Sequence, residues 1–99
     1  MDLIERNIDG IRDLCSKHKV GRLFAFGSVL TERFQNESDV DFIVDFKEID
    51  LYNYADNYFD LKFSLENLLK RDVDLLEDKA IKNPYLRKSI DSSKQLIYG

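Results

Sequence analysis

The sequence is poor in cysteine, proline and glycine, with one, one and four of these residues among 99. The single cysteine, Cys15, cannot form a disulfide within the chain. On a helical projection it shares one face with Ile4, Ile8 and Ile11. We therefore expect Cys15 to be a core residue rather than a reactive thiol.

Long apolar runs are also missing. No stretch approaches the roughly 18 apolar residues that a membrane span requires, and the N-terminus has no basic segment followed by an apolar core. These absences predict a cytoplasmic protein without a membrane partner. A length of 99 residues predicts a single domain over residues 1–99 with one modest core.

Positive charge is not in excess. The chain has 15 Lys and Arg against 19 Asp and Glu, a net charge of −4, and the two signs are interspersed. Proteins that follow a nucleic-acid backbone usually carry a basic stripe for it. Nucleic acid is therefore not an expected partner, and any acceptor of a transferred group is expected to be a small molecule or a protein.

What the chain does contain is a pair of aspartates in a strand-like segment. Two sets of residues alternate there: Val40, Phe42, Val44 and Phe46 against Asp39, Asp41, Ile43 and Asp45. This period of two predicts a half-buried strand that projects Asp39 and Asp41 from one face, with their Cα atoms about 7 Å apart. Two carboxylates at this separation suit Mg²⁺, which combines them with water and substrate phosphate oxygens. The segment predicts a metal–nucleotide site.

A possible phosphate-binding turn precedes the aspartates. The apolar run 22–26 stops at Gly27, as a buried strand entering a tight turn would. A helix is predicted to begin after Ser28, whose hydroxyl would then lie beside exposed backbone N–H groups that favour a polyphosphate. Gly27 and Ser28 are therefore candidate nucleotide-binding residues. Arg33 is the nearest cation, and both a phosphate contact and a surface role remain open for it.

Periodicity and turn signals also organise the rest of the chain. They predict an amphipathic helix from Asp2 to about His18 with a turn at Gly21, a long helix over 51–70, a strand from Asp72 to Glu77, a helix opened by Pro84, and a short strand or helix extension at 96–98. Along the chain, the N-terminal helix therefore precedes the two central strands, and the long helix follows them.

The long helix carries two apolar stripes. The first consists of Leu51, Tyr54, Tyr58, Leu61, Leu65 and Leu69, at intervals of three and four residues, and should face the sheet. The second, Tyr52, Phe59 and Phe63, lies roughly 100 to 150° around the helix. It predicts either a surface for a partner protein or a second copy of the chain, or a helix wedged between the sheet and the terminal helices.

The order strand, Gly27-Ser28, ten residues, Asp39-Val40-Asp41 and strand resembles the nucleotidyltransferase superfamily that includes DNA polymerase beta. The small size resembles its minimal (MNT) branch. The resemblance implies an α+β fold, with a small mixed β-sheet flanked by helices. It also implies a third carboxylate on a later strand, for which Asp74 is preferred and Asp72, on the same face, is the alternative.

In the family, the first two aspartates hold two Mg²⁺ ions, and the third completes one metal site and helps to deprotonate the attacking hydroxyl. The resemblance carries these catalytic and metal-binding roles to Asp39, Asp41 and Asp74. It implies a nucleotidyltransferase that uses ATP as substrate and transfers AMP to a hydroxyl of a partner. Gly27 and Ser28 would then orient the β- and γ-phosphates.

Minimal members of the family are commonly paired with a small helical protein of the HEPN class, as antitoxin and toxin, and some adenylylate a tyrosine of the toxin. The chain resembles such an antitoxin. Two alternatives remain open. One is a small-molecule nucleotidyltransferase, although such relatives usually have a further helical domain. The other is a non-catalytic antitoxin, since the segment 29–33 lacks the Arg-rich, Gly-containing sequence of many relatives.

Overall fold

Within residues 2–27 and 39–99, which a computed structural model describes, four β-strands form one mixed sheet in the order β3–β2–β1–β4. The strands are β1 (Val20–Phe26), β2 (Val40–Phe46), β3 (Val73–Glu77) and β4 (Gln95–Tyr98). Strand β1 runs antiparallel to β2 and β4, whereas β2 and β3 are parallel. The predicted α+β fold with a small mixed sheet is confirmed.

The helices are α1 (Asp2–Arg6), α2 (Ile8–Lys17), α3 (Leu51–Leu69) and α4 (Pro84–Ser93), with a short 3₁₀ turn at Asp78–Ala80. The prediction that Pro84 opens a helix is confirmed, and the side chain of Asn83 caps it by accepting hydrogen bonds from the N–H groups of Tyr85 and Leu86. The C-terminal segment 95–98 is a strand, not a helix extension. No helix in the described part of the chain is long and apolar enough to cross a membrane.

The predicted single helix from Asp2 to His18 is wrong, because it is divided at Asn7. The Asn7 side chain donates a 2.8 Å hydrogen bond to the carbonyl of Leu3, and such local bonds compete with a regular helix. The predicted turn at Gly21 is also wrong. Lys19 takes the left-handed conformation (φ 58°), so the chain turns earlier and Gly21 lies inside β1.

Helices α1, α2 and α3 cover one face of the sheet. Cys15 is fully buried there with β2 residues such as Phe42, as predicted, and α3 adds Leu61 and Leu65. Leu51 was predicted to belong to the same stripe, but it is 93% exposed. It is the first residue of α3, directly after the capping residue Asp50, so the helix begins before it reaches the core.

The opposite face of the sheet has a smaller apolar cluster. Phe24 of β1 and Ile43 of β2 pack with Ile90 of α4. Because successive strand residues alternate between faces, Ile43 shares this second face with Asp41. The aspartates thus lie on the face that α4 covers only in part.

The second stripe of α3 is exposed. Tyr52, Phe59 and Phe63 are 96%, 49% and 57% exposed, and the rings of Phe59 and Phe63 stack at 5.9 Å. The alternative in which α3 is wedged between the sheet and the terminal helices is therefore wrong.

Candidate active site

Asp41 and Asp74 lie opposite each other on adjacent parallel strands. The register of β2 and β3 pairs Asp41 with Asp74, and neighbouring strands in a sheet are about 4.8 Å apart. Register partners project from the same face, so the two carboxylates lie side by side on the face of the sheet that α4 covers only in part. A pair of aspartates far apart in sequence is thus brought together by strand pairing.

Asp39 and Gly27 lie near Asp41 and Asp74, on two other segments of the chain. Asp39 directly precedes β2, and Gly27 directly follows β1. Because β1 and β2 are antiparallel, with Phe26 opposite Asp41, the end of one strand adjoins the start of the other. Gly27 has a φ of +77°, a conformation that only glycine adopts readily.

The backbone at Gly27 approaches the carboxylate of Asp41 closely. A Cβ atom built at position 27 would stand 2.5 Å from Oδ2 of Asp41, which is well inside van der Waals contact. The positive φ favours glycine here, and a larger residue would also have to displace the Asp41 carboxylate. The turn and the aspartate form one packed unit.

Burial, and then the negative charges of Asp74 and Asp39, raise the pKa of Asp41 above its ordinary value. Asp41 is half-buried, whereas Asp39 and Asp74 are exposed. Asp41 is therefore close enough to both Asp74 and Asp39 to be affected by their charges. We call Asp39, Asp41 and Asp74 the acid triad.

Asp72, the alternative third acid, occupies a different position. It lies just before β3, and its backbone carbonyl accepts a 2.9 Å hydrogen bond from the N–H of Val40. This bond helps to align the start of β3 with β2. Asp72 is two register positions away from Asp41, whereas Asp74 is the direct partner.

Two side chains of α3 hold the outer edge of β3, and sequence reasoning did not assign them to the site. Oε2 of Glu66 accepts a 2.9 Å hydrogen bond from the N–H of Val73, and the hydroxyl of Tyr58 donates to the carbonyl of Leu75. Burial, and then the charge of Asp74, raise the pKa of Tyr58. The only available signal for Tyr58 was a hydroxyl group within the apolar stripe of α3, which it shares with Tyr54, and no sequence signal pointed to Glu66.

Ser28 and Arg33, the other predicted nucleotide-binding residues, and the helix predicted after Ser28 lie outside the described residues. Beyond Asp74 on the same sheet face, a groove of about 340 Å³ is lined by Leu76, Ala80, Ile81 and Leu86, among others. Its lining also includes Glu77, Lys82 and Asn83 and contains none of the acid triad, although Leu76 follows Asp74 by two residues on β3.

The chemistry of the acid triad fits a divalent cation. Carboxylate oxygens are hard ligands of the kind that Mg²⁺ prefers, and the mutual repulsion around Asp41 would be relieved by a positive ion. Within residues 2–27 and 39–99, however, no three Asp, Glu, His or Cys side chains already stand together as a metal-binding group. The carboxylates would have to turn toward a shared ion.

Comparison with known proteins agrees with this fold. Residues 9–99 match the family model described as polymerase beta, nucleotidyltransferase. A Methanocaldococcus jannaschii protein named "putative protein adenylyltransferase" is 39% identical over 85 residues, which are 86% of this chain and 82% of that protein. The chain therefore belongs to the polymerase beta-type nucleotidyltransferase family.

Solved structures connect the chain with the smallest members of this family. A structure described as a "putative minimal nucleotidyltransferase" superposes with a TM-score of 0.77 at 29% identity, covering 96% of this chain and 95% of the other. A chain from the complex of tri-AMPylated Shewanella oneidensis HEPN toxin with MNT antitoxin has a TM-score of 0.66 at 20% identity, covering 96% and 71%. In family and fold, this protein is an enzyme of the minimal nucleotidyltransferase type.

Proposed function

We propose that this enzyme transfers AMP from ATP to a hydroxyl group of a partner protein. The observation that carries the proposal is the register of Asp41 with Asp74, with Asp39 near enough to raise the pKa of Asp41. Three carboxylates on one open sheet face are the donor set that a metal–triphosphate complex requires. Placing Asp41 between two other carboxylates makes its ionised form less favourable, and a bound cation would offset this.

In this reaction the acceptor oxygen forms a bond to the α-phosphorus of ATP. The bond from that phosphorus to the bridging oxygen of the β-phosphate breaks, and pyrophosphate leaves with the electron pair. Asp39, Asp41 and Asp74 would hold Mg²⁺, which supplies charge neutralisation and Lewis acidity when bound. Asp74 is the residue proposed to accept the hydroxyl proton.

The turn at Gly27 contributes by positioning rather than by covalent chemistry. Its backbone lies against Asp41, so a triphosphate bound at Gly27 and Ser28 would lie next to the acid triad. Alignment of this kind converts binding energy into rate, because the reacting groups need not find each other in solution. No nucleophilic side chain of the enzyme is required.

A protein is the acceptor that the comparisons support best. The Methanocaldococcus jannaschii relative is named as a protein adenylyltransferase, and the Shewanella complex joins an AMPylated HEPN toxin to an MNT antitoxin. The net charge of −4 does not favour a nucleic-acid acceptor. We therefore propose that the chain is the antitoxin of a HEPN/MNT pair and acts in the cytoplasm, where ATP and Mg²⁺ are abundant.

The test is transfer of label from ATP labelled at the α-phosphate to a purified HEPN-class partner in the presence of Mg²⁺. Asp39→Asn, Asp41→Asn and Asp74→Asn should each lower labelling by at least ~100-fold, the order expected when a group acting on the transition state is removed. Asp72→Asn should retain most of it. Full labelling by Asp41→Asn would contradict the proposal.

Asp45→Asn is the matched control for these variants. Asp45 lies on the same strand and face as Asp41, but at the opposite end of β2, where it pairs with Arg22 at 3.1 Å. The Arg22 side chain is more than half exposed, whereas that of Asp45 is partly buried, and an ion pair at the surface contributes little to stability. The variant should therefore label its partner as the wild type does.

The non-catalytic alternative is favoured by one observation, the exposed aromatic stripe of α3 formed by Tyr52, Phe59 and Phe63. A binding antitoxin would neutralise its partner through such a surface without chemistry. In that case Asp41→Asn would still protect cells from the toxin. Labelling of a small acceptor with no labelling of protein would instead identify a small-molecule transferase.

A further inference from the structure

The geometry at the edge of the sheet assigns a positioning role to two residues of α3. We propose that Glu66 and Tyr58 hold β3 from its outer side, so that Asp74 stays opposite Asp41. This inference rests on the proposed function, because it concerns the placement of the third acid. It adds two residues outside the acid triad whose removal should weaken the site.

The hydrogen bonds alternate along β3. The carbonyl of Asp72 accepts a bond from Val40 of β2, so the backbone groups of residues 72 and 74 point inward, toward β2. Those of Val73 and Leu75 point outward, because successive residues of a strand turn their polar groups to opposite sides. These outward groups are the ones that bond to Glu66 and Tyr58.

The two bonds therefore bracket Asp74. Glu66 holds the N–H of the preceding residue, and Tyr58 holds the carbonyl of the following one. An edge strand without such partners would be paired along one side only. Here β3, which is five residues long, is hydrogen-bonded on both sides at the position of the acid.

These two hydrogen bonds keep β3 in register with β2. A slip of one residue would turn Asp74 to the other face of the sheet, where Leu75 now packs into the core. Even a small outward movement of β3 would separate Asp74 from Asp41. Lys62, one turn before Glu66 on α3, forms an ion pair with its carboxylate at 3.6 Å.

The test measures Mn²⁺ binding to the full chain by electron paramagnetic resonance, which needs no acceptor protein. Tyr58→Phe and Glu66→Ala should weaken Mn²⁺ binding by about five- to tenfold, somewhat less than the 10–100-fold typical of residues bonded directly to a ligand. Glu66→Gln keeps an oxygen acceptor for Val73 and should bind as the wild type does. Tyr52→Phe removes a hydroxyl from an almost fully exposed side chain of the same helix and should also have no effect.

Hydrogen exchange of the β3 amides provides a second readout. Glu66→Ala should speed exchange at Val73 while the amides of β1 stay protected, which would show that the chain remains folded. Unchanged Mn²⁺ affinity in Tyr58→Phe and Glu66→Ala, with faster exchange in β3, would overturn the inference and leave these residues a purely structural role. Equal Mn²⁺ affinity of the wild type and Asp74→Asn would overturn the acid triad itself, and with it the proposed function.

Discussion

Gly27 and Asp41 are packed so closely that a side chain at position 27 would have to displace the Asp41 carboxylate. A Cβ there would lie 2.5 Å from Oδ2 of Asp41, and the φ of +77° is unfavourable for other residues. The turn after β1 and Asp41 of β2 are thus in direct contact. A substitution at Gly27 should therefore alter the position of the Asp41 carboxylate.

The first prediction concerns this contact. Gly27→Ala should destabilise the fold by about 1–2 kcal/mol through backbone strain and displace the Asp41 carboxylate, lowering AMP transfer by at least ~10-fold. Thermal unfolding and the labelling assay measure the two effects. Gly10→Ala is the control, since a Cβ there meets only the end of the Leu68 side chain. Normal transfer by Gly27→Ala would show that the contact is not needed.

The second prediction concerns repulsion within the acid triad. Burial and the charges of Asp74 and Asp39 raise the pKa of Asp41, so its ionised form is less favourable in the folded state than in the unfolded state. Its contribution to stability is therefore greatest at low pH and falls as the pH rises from the ordinary value of 3.8 through the raised pKa. Asp41→Asn removes the unfavourable free energy of ionising this carboxyl in the folded state.

In metal-free buffer, Asp41→Asn should raise Tm by a few degrees at pH 7.5 and by less at pH 4.5. About 1 kcal/mol corresponds to roughly 4–8 °C in a domain of this size. Added Mg²⁺ should raise the Tm of the wild type more than that of the variant, because a bound ion relieves the same repulsion. A lower Tm for the variant at pH 7.5 would contradict this account.

The third prediction concerns Cys15. Burial raises the pKa of this thiol to about 12, and the thiolate is the reactive form. The folded protein should therefore be at least ~100-fold slower than a free thiol in its reaction with a disulfide reagent at pH 8. Unfolding in urea should restore the ordinary rate. Rapid labelling of the native chain would mean that α2 opens readily from the sheet.

The fourth prediction concerns the exposed aromatic stripe. Phe59→Ala and Phe63→Ala should change stability by no more than about 0.5–1 kcal/mol, because both rings are about half exposed. If the stripe binds the partner protein, each should weaken the complex by ~10-fold or more. Tyr85→Ala on α4, which is 84% exposed, is the control. Calorimetric titration with a HEPN-class protein measures these affinities.

Much of the fold was predictable because its signals are local. The alternation from 39 to 46 predicted β2, and the single proline predicted the start of α4. The burial of Cys15 followed from its helical face. Predictions failed where one residue decides a boundary, as at Asn7, where a side chain interrupts the helix, and at Lys19, whose left-handed conformation ends the turn before Gly21.

The acid triad was predictable only in part. Asp39 and Asp41 lie in one segment, so their proximity follows from strand geometry. The third acid came from a resemblance. Asp72 and Asp74 remained as alternatives because residues 72–77 alone do not determine the register in which that strand pairs with its neighbour. Their roles stay predictions, as do those of Gly27, Ser28 and Arg33 and the single domain over residues 1–99.

The amino-acid sequence by itself determined strand β2 with Asp39 and Asp41 in one segment, the long helix α3 and the start of α4, since these depend on side-chain pattern over a few residues. Only the tertiary structure decided that β3 lies parallel to β2 with Asp74 opposite Asp41, and that Glu66 and Tyr58 hold its far edge. Pairing between distant strands is set by the packing of the whole sheet and α3. No local sequence pattern determines that packing.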